Sequence, residues 1–224
     1  MLTNNQRKLL AQLETKKGRE KTGLCLVEGP KMIETAGKAV QEVLHINDMG
    51  ARSFSKIATT DTPQEVIGIA KIPEWTLEDV KRSKTVVFLD RVQDPGNVGA
   101  IMRLCLGFDA SMILVESADP SSTKVIRASA GGLFLVPWID LDPSRARDTL
   151  KELDRPIYRL EKRPGAKSES VLATDQSIVL IIGNEGSGIS ITRDGTSVVI
   201  DHEAKLESLN VATATAIALH VRYR

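Results

Sequence analysis

"TVVFLDRVQDPGNVGAIMRLCL", residues 85–106, decides how this chain is read. Its start, residues 85–89, is a nearly continuous apolar run of the length and β-branched content of a strand buried on both faces. Asp94-Pro95 then starts a turn, Asn97 is a natural N-cap, and residues 98–106 carry helical spacing. Leaving a sheet and turning back does not need a proline, two glycines, a side-chain amide and an arginine within ten residues. Gly99 lets another backbone approach the first helical turn, and Arg103 follows nearly two turns after Asn97. The stretch reads either as an ordinary capped helix or as a site made of tight backbone and one placed cation.

Outward from it the alternation is regular. Further strands are expected at residues 112–115, 134–138, 157–160, 178–182 and 198–200, with helices at 98–106, 122–130, 144–153 and 209–221. Strand-then-helix rhythm with apolar strands predicts an α/β fold with a parallel sheet covered on both faces, whose ligands gather at strand C-termini. Upstream, a helix within residues 2–13, a strand at 23–29, a helix at 30–39 and strands at 42–46 and 66–72 make a smaller α/β unit, with the stretch 55–63 mixed. The polar segment 73–84 holds the boundary. The division expected is 1–75 for a substrate-binding domain, 76–84 for a linker and 85–224 for a catalytic domain.

Bulk properties narrow the function little. Thirty basic against 29 acidic residues leave a net charge of +1, which argues neither for nor against a nucleic-acid partner. The first 24 residues are more basic: Arg7, Lys8, Lys16, Lys17, Arg19 and Lys21 face only Glu14 and Glu20. They are either RNA-phosphate contacts or a solvated helix face. Cys25 and Cys105 stand apart from each other and from any histidine at metal-ligand spacing, so neither a disulfide framework nor a metal site is expected, and a cytoplasmic protein fits. No apolar run approaches the roughly 20 residues that span a bilayer.

Two more loops carry candidate chemistry. In "IIGNEGSGIS", residues 181–190, a buried strand ends in three glycines enclosing Asn184 and Glu185, which frees backbone amides for a ligand but matches neither the P-loop nor the dinucleotide glycine order. In "ESLNVATATAIALH", residues 207–220, a Ser-Leu-Asn entry leads into an Ala/Thr-rich helix suited to very close packing; a buried core helix capped by Ser208 is the plainer reading.

In this order the three loops resemble the signature motifs of the SpoU family of RNA ribose 2′-O-methyltransferases, in the SPOUT superfamily. Asn97, Gly99 and Arg103 match the first motif; Gly183, Asn184, Glu185 and Gly186 the second; Ser208, Leu209 and Asn210 the third. The catalytic resemblance covers about residues 85–222. "KKGREKTGLCLVEGPKMI", residues 16–33, is similar to the small RNA-binding domain that precedes the catalytic domain in many members.

The resemblance implies a SPOUT domain with a C-terminal trefoil knot, a homodimer through the knot, and S-adenosylmethionine bound by Gly183, Ile200 and Leu209. It implies a catalytic set of Arg103, Asn97, Glu185, Ser208 and Asn210, no metal, and structured ribosomal RNA as the substrate held by Arg7, Lys8, Lys16, Lys17 and Arg19. A transfer-RNA methyltransferase and a non-catalytic RNA-binding or assembly protein stay open as alternatives. The second is motivated by Asp201 and His202, which stand where the family usually has Pro-Met.

Overall fold

The structure, a computed structural model, describes residues 2–45, 47, 65–203 and 205–223. Ile46 and the stretch 55–63 lie outside the described residues. The N-terminal unit runs α1 (Asn4–Leu13), α2 (Lys16–Thr22), β1 (Leu24–Glu28), α3 (Pro30–Ala36), β2 (Val40–His45) and β3 (Val66–Lys71). Its strands form an antiparallel sheet in the order β1-β3-β2. Sequence reading missed α2, whose residues are polar throughout. Thr15 accepts a hydrogen bond from Gly18 N to start it, and Gly23, at φ +67°, ends it.

After α4 (Leu77–Lys81) come β4 (Thr85–Asp90), α5 (Pro95–Gly107), β5 (Ala110–Val115), α6 (Thr123–Ala128), β6 (Trp138–Leu141), α7 (Ala146–Leu153), β7 (Ile157–Leu160), β8 (Lys167–Ser168), β9 (Ile178–Gly183), β10 (Thr196–Val199) and α8 (Val211–Tyr223). The expected parallel sheet forms, in the order β6-β5-β4-β9-β7-β10-β8. β4, β5 and β9 are buried at every position, as their continuous apolar runs required. Alternate residues serve opposite faces. Val87, Leu89, Met112, Leu114, Leu180 and Ile182 share one core with Ile101 and Met102 of α5 and Leu219 of α8. Val86, Phe88, Ile113, Val179 and Ile181 share the other with Val80 of α4 and Leu150 of α7.

Two expectations are corrected here. The strand expected at 134–138 begins only at Trp138, because Ala130 and Gly131 turn the chain left-handed at φ +51° and +85° and residues Gly132–Phe134 close a 3-10 turn. Trp138 Nε1 donates to Leu133 O at 3.0 Å and holds that turn under the indole. The stretch 76–84 is not a bare linker: Thr76 and Asp79 form a capping box for α4, and Val80 is fully buried in the large unit's core. The small unit packs directly on the large one. Cys25, Val27 and Ala70 belong to the same apolar cluster as Val125 and Leu133, and a Cβ on Gly131 would lie 2.6 Å from Thr35 Cγ2.

Candidate active site

β9 lies between β4 and β7, so the loops leaving β4 and β9 emerge side by side where the sheet's connections change direction. In the first loop Asp94, not Asn97, caps α5: its carboxylate accepts a hydrogen bond from Asn97 N at 2.8 Å. Asn97 therefore sits inside the first helical turn with its amide free to point outward. Asn97 Nδ2 donates to Glu185 Oε1 at 2.6 Å, and Asn97 Oδ1 accepts from Asn210 Nδ2 at 3.0 Å. Asn210 Oδ1 accepts from Ala212 N at 2.9 Å and Thr213 N at 3.2 Å, so Asn210 caps α8 in place of Ser208. The cap fixes the Asn210 amide, which fixes the Asn97 amide, which aims an N–H at the carboxylate. Side chains 88 and 113 residues apart are thereby joined through Asn97.

Gly99 permits the close approach expected of it, though the neighbour is α6: a Cβ there would meet Ala128 Cβ at 2.4 Å and Val125 O at 2.8 Å. Arg103 is exposed on the same helix and forms no hydrogen bond or ion pair among the described residues. It borders a groove with Ala212, Thr213 and Ala216 of α8.

The second loop is a folded unit. Gly183 is buried, and a Cβ on it would lie 2.6 Å from Gly188 C, because the loop doubles back through an Asn184–Gly188 bridge. Asn184 Oδ1 accepts from Gly186 N and Ser187 N, both at 2.9 Å, while its Nδ2 donates to Arg91 O at 3.0 Å. Sequence reasoning missed the anchor beneath. Asp90, 1% exposed, accepts hydrogen bonds from Ser190 N and Ile191 N and pairs with Arg91 Nε at 2.9 Å. The signal was present as an acid ending an apolar strand and followed by an arginine.

Ile200 and Leu209 line one cleft of about 100 Å³, with Leu160, Val198 and Ala214 as apolar walls and Glu161, Lys162, Glu207 and Ser208 among its polar groups. Gly183 is not in its wall. Ser208 borders the cleft without hydrogen-bonding to any described residue, so it does not join the Asn97 chain. His202 also lines the cleft. Its Nδ1 lies 2.8 Å from Ile200 O, and its Nε2 is buried with no partner among the described residues.

The N-terminal cations divide. Arg7, Lys8 and Lys17 are exposed and unpaired among the described residues. Lys16 reaches Asp140 at 3.1 Å and Glu20 at 3.9 Å; burial lifts the Asp140 carboxyl above its ordinary range, with Lys16 working against it. Arg19 is not a phosphate contact. It is 5% exposed, pairs with Asp119, and donates to Ser121 Oγ at 3.1 Å and Leu13 O at 2.7 Å. Its guanidinium joins α2 to the loop after β5, and burial leaves no donor for RNA.

Three loops, two of them glycine-bearing, are thus joined through the Asn97 amide, and Arg103 is exposed on the same helix. The SpoU rRNA Methylase family profile matches residues 84–220. The chain belongs to that family. An MRM3-like substrate binding domain profile matches residues 4–47 of this SpoU protein. The 23S rRNA (guanosine(2553)-2′-O)-methyltransferase RlmP of Bacillus subtilis is 29% identical over 232 residues, covering 93% of this chain and 92% of that protein. The 23S rRNA (adenosine(1067)-2′-O)-methyltransferase of Streptomyces laurentii is 31% identical over 191 residues, covering 81% and 70%. The AdoMet-bound rRNA methyltransferase of Sinorhizobium meliloti superposes with a TM-score of 0.86 at 27% identity, covering 99% of this chain and 95% of that one.

Proposed function

We propose that this SpoU protein transfers a methyl group from S-adenosylmethionine to a ribose 2′-hydroxyl of ribosomal RNA. The observation that carries the reading is the Glu185–Asn97–Asn210 chain, which joins the three loops at the helix that also carries the exposed Arg103. The cleft fits the cofactor. Apolar walls suit a flat base, polar groups suit a ribose, and an orphaned buried acceptor awaits a donor. At 100 Å³ it is below the roughly 300 Å³ of a pocket that encloses a whole ligand, so it takes one end of the molecule.

When bound, the cofactor supplies an electrophilic methyl group on a sulfonium. The protein supplies alignment and charge. Arg103, permanently protonated, holds the target nucleotide's phosphate and stabilises the forming alkoxide. Asn97 fixes Glu185 through Oε1, which leaves Oε2 free to accept the hydroxyl proton. Asn210 orders the third loop, Ser208 offers at the cleft a hydroxyl unbonded among the described residues, Ile200 and Leu209 hold the adenosyl end, and Gly183 lets the second loop close over the site. Arg7, Lys8 and Lys17, with Lys16 in part, give residues 1–75 a phosphate-binding surface.

Support for a homodimer comes from the α5 and α8 surface, where Leu106 and Tyr223 are 42% and 66% exposed and Phe108 stacks edge-on against Tyr223 at 5.7 Å. A second copy seated there would cover them, next to the knotted segment the family resemblance implies; sedimentation tests the dimer. Two unpaired thiols support a cytoplasmic setting.

The deciding experiment is methyl transfer from labelled S-adenosylmethionine to unmodified ribosomal and transfer RNA, with Arg103→Ala as control and mass spectrometry of nuclease digests. A ribose methyl on ribosomal RNA, lost in the variant, is expected. Label on transfer RNA alone overturns the substrate, and no cofactor binding by calorimetry overturns the enzyme.

A further inference from the structure

His202 lines the cleft with a part-buried imidazole whose Nε2 is shielded and unbonded among the described residues. A carbonyl oxygen only accepts, so the 2.8 Å contact to Ile200 O requires the proton on Nδ1. In the neutral ring Nε2 is then a bare acceptor. It is shielded from water, and Glu161, Lys162, Glu207 and Ser208, which border the same cleft, all leave it unbonded. A buried acceptor without a donor is costly, and such groups in folded proteins ordinarily have a partner. No described residue supplies the partner, and a ligand entering the cleft can. His202 lines the cleft that Ile200 and Leu209 wall, where the same Ile200 that is expected to hold the cofactor also holds the ring.

We propose that His202 recognises the cofactor: Nε2 accepts a hydrogen bond from an N–H or O–H of the adenosyl group bound between Ile200 and Leu209. This rests on the cleft being the cofactor's site. Ligand entry widens the narrow cleft and gives the orphaned nitrogen its donor, while the Ile200 carbonyl keeps the tautomer fixed throughout. The donor is either the 6-amino group of the base or a ribose hydroxyl.

The test is calorimetry of the full chain with S-adenosylhomocysteine, which carries the same adenosyl group, and three analogues that each lack one donor: the 6-amino group, the 2′-hydroxyl or the 3′-hydroxyl. His202→Phe keeps a flat ring and removes the acceptor, and His202→Gln keeps an acceptor. One neutral hydrogen bond corresponds to roughly a tenfold change in affinity. His202→Phe should bind S-adenosylhomocysteine about tenfold more weakly, and the penalty for deleting one particular donor should vanish in that variant while the other two penalties persist. His202→Gln should recover part of the loss. In the wild type, the ¹⁵N resonance of the unprotonated Nε2 should shift on binding.

Equal weakening of all four ligands by His202→Phe, or no weakening, overturns the proposal. Ala214→Phe, which fills the cleft, separates the two levels of the reading. If it leaves binding of S-adenosylhomocysteine intact, the cofactor binds elsewhere and the cleft assignment fails with it. If it abolishes binding while His202→Phe shows no donor-specific effect, only the role of His202 fails.

Discussion

Arg19→Ala separates a cation that binds RNA from one that joins two units of the protein. The Arg19 side chain is 7% exposed and that of Asp119 is 14% exposed. Removing one partner of a buried, hydrogen-bonded ion pair costs about 3–5 kcal/mol, because the other charge is left in a poorly solvated place. Here the loss falls near the lower figure. Asp119 Oδ1 keeps Ser121 N at 2.9 Å and Ser121 Oγ at 2.7 Å, so the carboxylate is not abandoned, whereas Leu13 O loses its donor. A loss of about 3 kcal/mol in urea unfolding is expected, or a melting point lower by roughly 6–12 °C for a chain of this length. Asp119→Asn should cost less when Arg19 is already gone than when it is present. The salt dependence of RNA binding should keep its slope, since no phosphate contact has been removed. A stability loss under about 1 kcal/mol, together with a slope smaller by nearly one unit, would refute the reasoning and make Arg19 a phosphate ligand.

Three further outcomes are expected. Gly183→Ala forces a methyl against the Gly188 backbone at 2.6 Å, so it should cost about 1–3 kcal/mol in urea unfolding and lower cofactor affinity in calorimetry; an unchanged protein would mean that the loop need not double back. Asn97→Ala releases Glu185 and Asn210 together and should reduce kcat by about a hundredfold through misplacement while leaving Kd for S-adenosylhomocysteine near the wild-type value, as single-turnover kinetics with a binding titration will show. Burial pushes the thiols of Cys25 and Cys105 up to about 12, so neither should react with a thiol reagent in the folded protein at pH 8 and both should in urea. The sign follows. Unfolded thiols ionise near roughly 8.5 and folded ones do not, so stability should fall as pH rises above that value, in a denaturation series from pH 7 to 10.

The amino-acid sequence by itself determined the central strands of the sheet and the three loops. β4, β5 and β9 are apolar at successive positions, which suits only a strand covered on both faces, and glycines such as Gly99 and Gly183 stand where chain or loop must pass too closely for a Cβ. These are local properties, written in neighbouring residues.

Tertiary structure decided which side chain does what. Asp94 and Asn97 are both good caps, as are Ser208 and Asn210, and propensity does not choose between them. The choice falls to Asp94 and Asn210, which leaves the Asn97 amide to bridge to Glu185 and Asn210 across 88 and 113 residues. Arg19 looked like its basic neighbours until Asp119, 100 residues away, took its charge, and Asp90 acquired its role from the loop that folds over it. Burial and pairing arise from chain segments that meet only when the sheet closes, and no spacing along one segment records them.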